Sequence, residues 1–372
     1  MKIAKLGDCH VGVRGGNIFF RQFIKDWLLN YFIPKCVEEG VELIIQYGDF
    51  FDVRKSLYGL DKEWIETEFI PACREAGIPW KMLTGNHDIQ LRHSNRSHHT
   101  SIFTEMASDI FTVYSQVPEE VEIDGDVHLF IPWINEDGHE GSNYQASVQA
   151  IKDSEAKYAH GHLELAGFPI SSASMAEHGI VDEELFDKFD RTDTGHYHKR
   201  SKRRAIEYIG TPYPLTWDDH GDERGFCIWD SETNEQTFIE NDPSMTLFSI
   251  MRYDWGLFKD DEDLRKAVVD HERVEKAISG RLVKIVVTNN EDTRHYNKFV
   301  EAVRRAGAID VQWVDNTITS LSDVEVDEEA LHLDTEATLN EYIESQEMSV
   351  SATDVIAVSN EILKEVQDGT VA

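Results

Sequence analysis

The sequence predicts an α/β protein: a two-layered β-sandwich flanked by helices, then a smaller α+β unit and C-terminal helices. Three observations carry this. Short β-rich apolar runs alternate with amphipathic stretches up to about residue 241, a βαβαβ pattern begins near Met245, and apolar residues at helical spacing recur in the last fifty positions.

Residues 3–6, 41–47, 80–83 and 127–133 are brief apolar runs, each ending near Gly, Asp, Asn or Pro, as strands that stop at a functional edge do. Between them, residues 19–39 place Phe20, Phe23, Ile24, Trp27 and Leu28 on one helical face, and residues 62–76 do so with Trp64, Ile65, Phe69 and Ile70. Both stretches stop before a glycine, Gly40 and Gly77. Strands at 158–160, 205–209, 225–229 and 236–240 have short turns between them, which predicts a second, more antiparallel sheet. Beyond Met245, strands at 248–253, 281–288 and 309–314 alternate with helices at 263–271 and 295–306. The expected units are therefore 1–241, 245–318 and 325–372, the last with an apolar stripe through Leu339, Tyr342, Ile343, Ile356, Ile362 and Leu363. Such a stripe packs on its own domain or on a partner.

Length and composition agree with this division. The chain has 372 residues, 41% hydrophobic and 28% charged, enough for about two domains with a sizeable core and unlike a disordered or collagenous chain. No apolar run reaches the roughly 18 residues of a membrane span, and the first residues lack a signal-peptide core, so a cytoplasmic location is expected, the host's if the source is viral. Cys9, Cys36, Cys73 and Cys227 are widely spaced, which indicates reduced thiols rather than disulfides or a zinc ribbon. Against 36 Lys and Arg stand 70 Asp and Glu, a net charge of −34 that opposes non-specific attraction to a polyanion and also serves solubility. Residues 320–372 alone carry fourteen acidic residues and one Lys. Any nucleic-acid contact must then be local.

Five clusters carry the chemistry, each where a strand of the first unit ends: Asp8-Cys9-His10, Gly48-Asp49-Phe50-Phe51-Asp52, Gly85-Asn86-His87-Asp88, His160-Gly161-His162 and Gly195-His196-Tyr197-His198. In an α/β layer the crevice beyond the strands' carboxyl ends binds ligands. Asp, Asn and His supply mixed oxygen and imidazole donors, which suit manganese, iron or zinc better than calcium or magnesium. Period-two alternation puts Asp8 and His10 on one side of an extended segment, and His196 and His198 likewise, with Cys9 and Tyr197 facing away. Asp49 has lone pairs enough to bridge two ions at the ~4 Å spacing that clamps both oxygens of a phosphoryl displacement.

In this order, DxH, GDxxD, GNHD, GH and GHxH resemble the calcineurin-like metallophosphoesterase superfamily. Within it the chain is similar to the SbcD or meiotic-recombination-eleven nucleases and the phage recombination endonuclease subunits. That narrower likeness rests on IQYGDFFDVRK (45–55), TGNHD (84–88), FIPW (130–133), GHLELAGF (161–168) and YIGTPYPLTW (208–217). The resemblance implies a metallophosphoesterase nuclease domain at 1–241, a DNA-capping domain at 245–318 and an ATPase-binding segment at 325–372. It implies one ion held by Asp8, His10, Asp49 and His198 and a second by Asp49, Asn86, His162 and His196. Manganese is the expected ion and magnesium the alternative. His87 would protonate the leaving 3′ oxygen or steady the transition-state charge, and a hydroxide on the ions, from water acidified toward pKa ~7, would attack. Where many cellular relatives have a second histidine after the Asp49 motif this chain has Asp52, which could orient His87. His160 reads as a strand residue near the site, and His178 has no assigned role.

DNA is the implied substrate, and an SbcC-type coiled-coil ATPase and a second copy of the chain the implied partners. Lys199, Arg200, Lys202, Arg203 and Arg204 follow the ligand His198 directly, so their charge could act locally despite the global imbalance, because 0.15 M salt screens beyond about 8 Å. A solvated hairpin explains the run equally. Arg14, Arg21, Arg92, His93, Arg96, His98 and His99 could add phosphate contacts. Two other functions fit in part. A phosphatase or cyclic-nucleotide phosphodiesterase would use the same core, although phosphoprotein phosphatases read GDxVDRG and GNHE where this chain has GDFFDVR and GNHD. A non-catalytic assembly subunit would not need intact ligands. No GxxxxGK[ST] loop is present, so ATP use would belong to the partner.

Overall fold

Residues 1–171 and 174–317 are described by a computed structural model of the chain. The first sheet has six strands in the order Glu235–Glu240, Gly225–Asp230, Lys2–Leu6, Leu43–Gln46, Trp80–Leu83 and Phe111–Tyr114. From Lys2–Leu6 onward its neighbours are parallel, and parallel neighbours need crossovers. The first crossover is the helix Ile18–Asp26, continued through Trp27–Phe32 to Ile33–Glu38. The second runs from Gly59–Trp64 through Ile65–Phe69 to Ile70–Ala76. In both, the middle segment is π-helical and leads into Ile-Pro. Pro34 and Pro71 lack the N–H that would close an α-turn, and their rings crowd the carbonyl four residues back, so the helix widens one turn and continues.

The second sheet runs Ser201–Arg203, Ile206–Tyr208, Arg191–Gly195, Tyr158–His162, Asp126–Ile131 and Glu119–Ile123. The expected antiparallel character is corrected here: its four central strands are mutually parallel, and only the two edge strands run antiparallel. The strands expected here at 225–229 and 236–240 belong instead to the first sheet, antiparallel beside Lys2–Leu6, and the missing element was Arg191–Gly195, whose polar sequence RTDTG hides a buried strand. Its neighbour Tyr158–His162 is likewise buried throughout.

Alternation along each strand divides the cores. Ala4, Leu6, Ile44 and Met82 face the helices with Trp27, Phe32, Phe69 and Phe103, whereas Ile3, Leu43, Ile45 and Tyr47 face Phe130 and Tyr158 of the other sheet. Leu129, Ile131, Ala159 and Tyr208 point to the outer side, towards the helix Tyr144–Asp153. The sandwich also encloses charge. Lys5 and Asp193 are buried and ion-paired across the sheets, and Arg191 Nε adds a 2.8 Å bond to Asp193. Burial wins at Lys5, whose pKa falls to about 8; at Asp193 burial is outweighed by Lys5 and Arg191, which hold it down to about 2. Asp193→Asn would leave two cations sharing one buried space and is expected to cost roughly 3–5 kcal/mol, read from denaturant midpoints.

Beyond Asn241, a three-stranded parallel sheet (Phe248–Asp254, Leu282–Asn289, Asp310–Asp315, in chain order) packs on helices His271–Ile278 and Thr293–Arg305 through Tyr253, Ile285, Phe299 and Val303. The single helix expected at 263–271 is two, Glu262–Val268 and His271–Ile278, because Asp270 accepts from Arg273 N at 3.0 Å and starts a new helix. Leu247 and Phe248 pack with Phe20 of the first unit, joined by Trp217, Leu282 and Ile309. The expected helices at 325–372 lie outside the described residues. No helix among the described residues is long and apolar enough to cross a membrane, and Cys9, Cys36, Cys73 and Cys227 are buried, free thiols.

Candidate active site

Strands Lys2–Leu6, Leu43–Gln46 and Trp80–Leu83 of one sheet and Tyr158–His162 and Arg191–Gly195 of the other end at one rim, and the five clusters meet there. Asp8, His10 and His198 bring ligand atoms within 4.8 Å of one another, and Asp49, His162 and His196 do the same. Asn86 joins the second group, its Oδ1 3.0 Å from His162 Nε2 and 2.9 Å from His196 Nδ1. All seven residues expected to hold ions are thus gathered at one place.

Backbone geometry makes the gathering possible. Asp49 has φ 50°, His10 φ 49° and His196 φ 95°, left-handed conformations that side chains rarely adopt and that collect at functional sites. Through its turn Asp49 offers its carbonyl to Cys9 N and His10 N, both at 3.0 Å, stitching the first two loops together. The left-handed geometry also defeats simple alternation. His196 and His198 turn to different groups instead of sharing one side, while Cys9 and Tyr197 are buried. Gly48, with φ 88°, and Gly85 leave no room for a side chain: a Cβ on the first would strike the His162 ring and on the second the Asp49 carboxylate.

The chemistry of the contacts tests whether cations belong here. His162 Nδ1 must donate to the Tyr47 carbonyl at 2.7 Å, so a neutral ring directs the Nε2 lone pair at Asp49 Oδ2, 3.3 Å away, and at Asn86. His10 Nδ1 donates to Asp52 Oδ1 at 3.0 Å, and its Nε2 then faces His198 Nε2 at 3.0 Å. Asp8 Oδ2 accepts from His196 N at 2.9 Å, but buried Oδ1 has no partner. At Asp49 and at the unpartnered Asp8 oxygen acceptors face acceptors, a demand that a proton, a metal cation or, beside Asp49, the turned Asn86 amide can meet. The buried charges show the same demand. Burial would lower His162, but Asp49 raises it to about 9, and burial with Asp49 lifts Asp8 to about 7. Burial, then His162, holds His196 down to about 3; burial, then His10, does so for His198. The donor set of nitrogens and oxygens fits transition dications.

Other expected residues fall into place differently. His87 Nδ1 donates to the Asp52 carbonyl at 2.6 Å, and its amide donates to Asp49 Oδ1 at 2.7 Å. The Asp52 carboxylate thus bonds His10 while the Asp52 carbonyl bonds His87, and ligand atoms of the three residues lie within 4.8 Å of one another. His160 lies in the sandwich core between Tyr47 Oη and His128, 2.8 Å from each. His178 lines a cleft of about 520 Å³ beside His196, His198, Tyr197 and Asp219.

The basic run is a hairpin edge whose cations already have carboxylates. Lys199 pairs with Asp222, Arg200 and Lys202 with Glu207, and Arg203 and Arg204 with Glu183. Arg92 meets Glu136, and Arg21 meets Asp61. Arg14 lies over the Phe20 and Phe248 rings, and Arg96 is exposed. His98 Nδ1 bonds Thr100, and His99 Nε2 bonds the Arg54 carbonyl.

A cation that sequence reasoning missed stands nearer. With the Asn86 amide turned over, its oxygen accepts from Arg54 Nη2 at 3.0 Å. Among the described residues, no carboxylate forms an ion pair with Arg54. Its place two residues beyond Asp52, inside the quoted motif GDFFDVRK, was the available signal.

A paired-sheet core with Asp, Asn and His ligands on its rim defines a metallophosphoesterase, and the calcineurin-like phosphoesterase family matches residues 1–200. The chain belongs to that family of hydrolases. It is 29% identical over 346 residues to exonuclease subunit 1 of Enterobacteria phage T4, covering 92% of each chain. Among solved structures it is similar to an archaeal phosphodiesterase (13% identity, 65% of this chain and 100% of that one, TM-score 0.33). A dimetal phosphatase from Danio rerio is 11% identical (61% and 91%, TM-score 0.35).

Proposed function

We propose that the chain is the nuclease subunit of a DNA recombination and repair complex, hydrolysing phosphodiester bonds with two divalent ions, manganese by preference. The observation that carries this is the gathering of two clusters of Asp and His donor atoms at one rim, with Asn86 beside the second and Asp49 Oδ2 3.3 Å from His162 Nε2. Asp8, His10, Asp49 and His198 would hold one ion, and Asp49, Asn86, His162 and His196 the other. Bound there, the ions would polarise the phosphodiester and acidify water. His87, fixed through Nδ1 by the Asp52 carbonyl, has Nε2 left to carry a proton to the leaving 3′ oxygen. A likeness to an exonuclease subunit across nearly the whole chain favours DNA over a phosphoprotein as substrate and supports a partner. A coiled-coil ATPase is the partner the sequence resemblance implies.

The test offers purified protein with manganese, with and without the ATPase, linear duplex, DNA hairpins and a generic phosphomonoester. DNA cleavage supports the proposal; turnover of the phosphomonoester alone would replace it with a phosphatase, and no turnover in any condition with an assembly subunit.

Arg54 is the proposed phosphate contact. When the Asn86 oxygen faces an ion, its amide nitrogen faces the Arg54 guanidinium, two donors that cannot pair, and Arg54 is released toward substrate. Arg54→Ala is expected to weaken DNA binding and raise KM by roughly tenfold while the number of bound ions stays the same. Fluorescence anisotropy with calcium replacing manganese reads the binding separately from turnover.

A further inference from the structure

We propose that His93, Glu136 and His139 form a third cation site, outside the active centre, for a transition dication of zinc's class. Their ligand atoms lie within 4.8 Å of one another. Glu136 Oε2 is 3.6 Å from His139 Nε2, and the His93 and His139 rings stack with centroids 3.6 Å apart. His93 Nδ1 is shielded from solvent and has no partner, an acceptor or donor left open in a protein that closes almost all of them.

The ligands come from segments far apart in sequence, and a buried framework fixes them side by side. Asn95, Asn135 and Asn143 are each less than one-tenth exposed. Asn135 Nδ2 donates to Asn95 Oδ1 at 2.9 Å, Asn135 N donates to Asn143 Oδ1 at 2.9 Å, and both Asn95 and Asn143 donate to the Trp133 carbonyl, at 2.8 and 2.9 Å. His93 is thereby held against the loop that carries Glu136 and His139 before any ion arrives. Arg92 Nη2, 3.5 Å from Glu136 Oε1, steadies the second carboxylate oxygen as an outer partner of a ligand does.

Two imidazoles and one carboxylate, with a position left for water, suit zinc and its neighbours and not calcium or magnesium, which need more oxygens. Ligand lone pairs lie in the ring planes, so the stacked rings must tilt apart as the ion enters. The side chains of His139 and Glu136 are 45% and 52% exposed and free to do so. An ion here would fasten together two segments rooted in the active centre. One begins just after His87, and the other leaves Trp133, whose ring lies 5.1 Å from His196 and 5.9 Å from His162.

The test uses untagged full-length protein stripped with chelator and titrated with zinc alone by calorimetry, the retained metal then being counted after gel filtration. His139→Ala and Glu136→Gln, both at exposed positions, are each expected to retain one equivalent less than wild type, and Asp49→Asn to keep that equivalent. Magnesium at the same concentration is expected to leave it unfilled. Equal zinc counts and affinities in wild type and both surface variants would overturn the site, however many ions the active centre holds. Failure of the nuclease proposal would leave this difference untouched.

Discussion

Asp49→Asn is expected to lower DNA turnover by roughly a thousandfold or more while the fold survives. The reason lies in what asparagine preserves and what it closes. Its oxygen can still accept from the His87 amide, now 2.7 Å from Asp49 Oδ1, and asparagine tolerates the φ of 50° found here better than most residues do. In place of Oδ2 it presents an N–H to His162 Nε2, 3.3 Å away, so a hydrogen bond occupies the position where two acceptors otherwise demand a cation. The charge shared by both clusters disappears at the same step. Steady-state cleavage of linear duplex at saturating manganese reads the first effect, and a wild-type circular dichroism spectrum with a single cooperative denaturant transition, measured in chelator, reads the second. Turnover within tenfold of wild type would mean that Asp49 does not join the two clusters.

Much of this site was legible because its ligands are bound to strand ends by sequence position: glycine next to Asp or His after an apolar run marks a chain that turns at a sheet edge. Which side chains share an ion was less legible. Alternation pairs His196 with His198, but φ 95° at His196 rotates the two apart, and no sequence pattern records that rotation. The role of Asp52 was half visible for a related reason, since its carbonyl and its carboxylate serve different histidines. Arg191–Gly195 escaped notice because a buried strand here is polar: Asp193 is tolerated through Lys5 and Arg191, partners distant or off-pattern in the sequence. The basic run after His198 was conspicuous for its charge, and Glu207, Glu183 and Asp222 pair with its five cations from elsewhere in the chain while Glu207 and Asp222 also serve Arg191 and Arg224. Charge density along the sequence locates a cation, and only folding tells whether it is already spent on a neighbour.

Asp8→Asn is expected to abolish turnover as Asp49→Asn does, yet to stabilise the ion-free chain. Asp8 is buried, with Oδ1 unpartnered and only Oδ2 bonded, to His196 N. Burial raises its carboxyl to about 7 from an ordinary value of 3.8; His162 pulls the other way, and Asp49 adds to the rise. The folded state therefore holds this proton more tightly than the unfolded chain. The stability it contributes is complete below about pH 3.8 and is lost as pH rises through about 7. Asparagine cannot lose that proton, so in chelator at pH 8 the variant is expected to be more stable on the order of 1–3 kcal/mol, with a smaller gain at pH 5. Saturating manganese offsets this gain, because an ion at a hundred times its Kd adds about 2.7 kcal/mol to the wild type alone. Denaturant melts at the two pH values, with chelator and with manganese, decide the matter. A variant less stable than wild type in chelator at pH 8 would show that Asp8 holds the fold together rather than straining it.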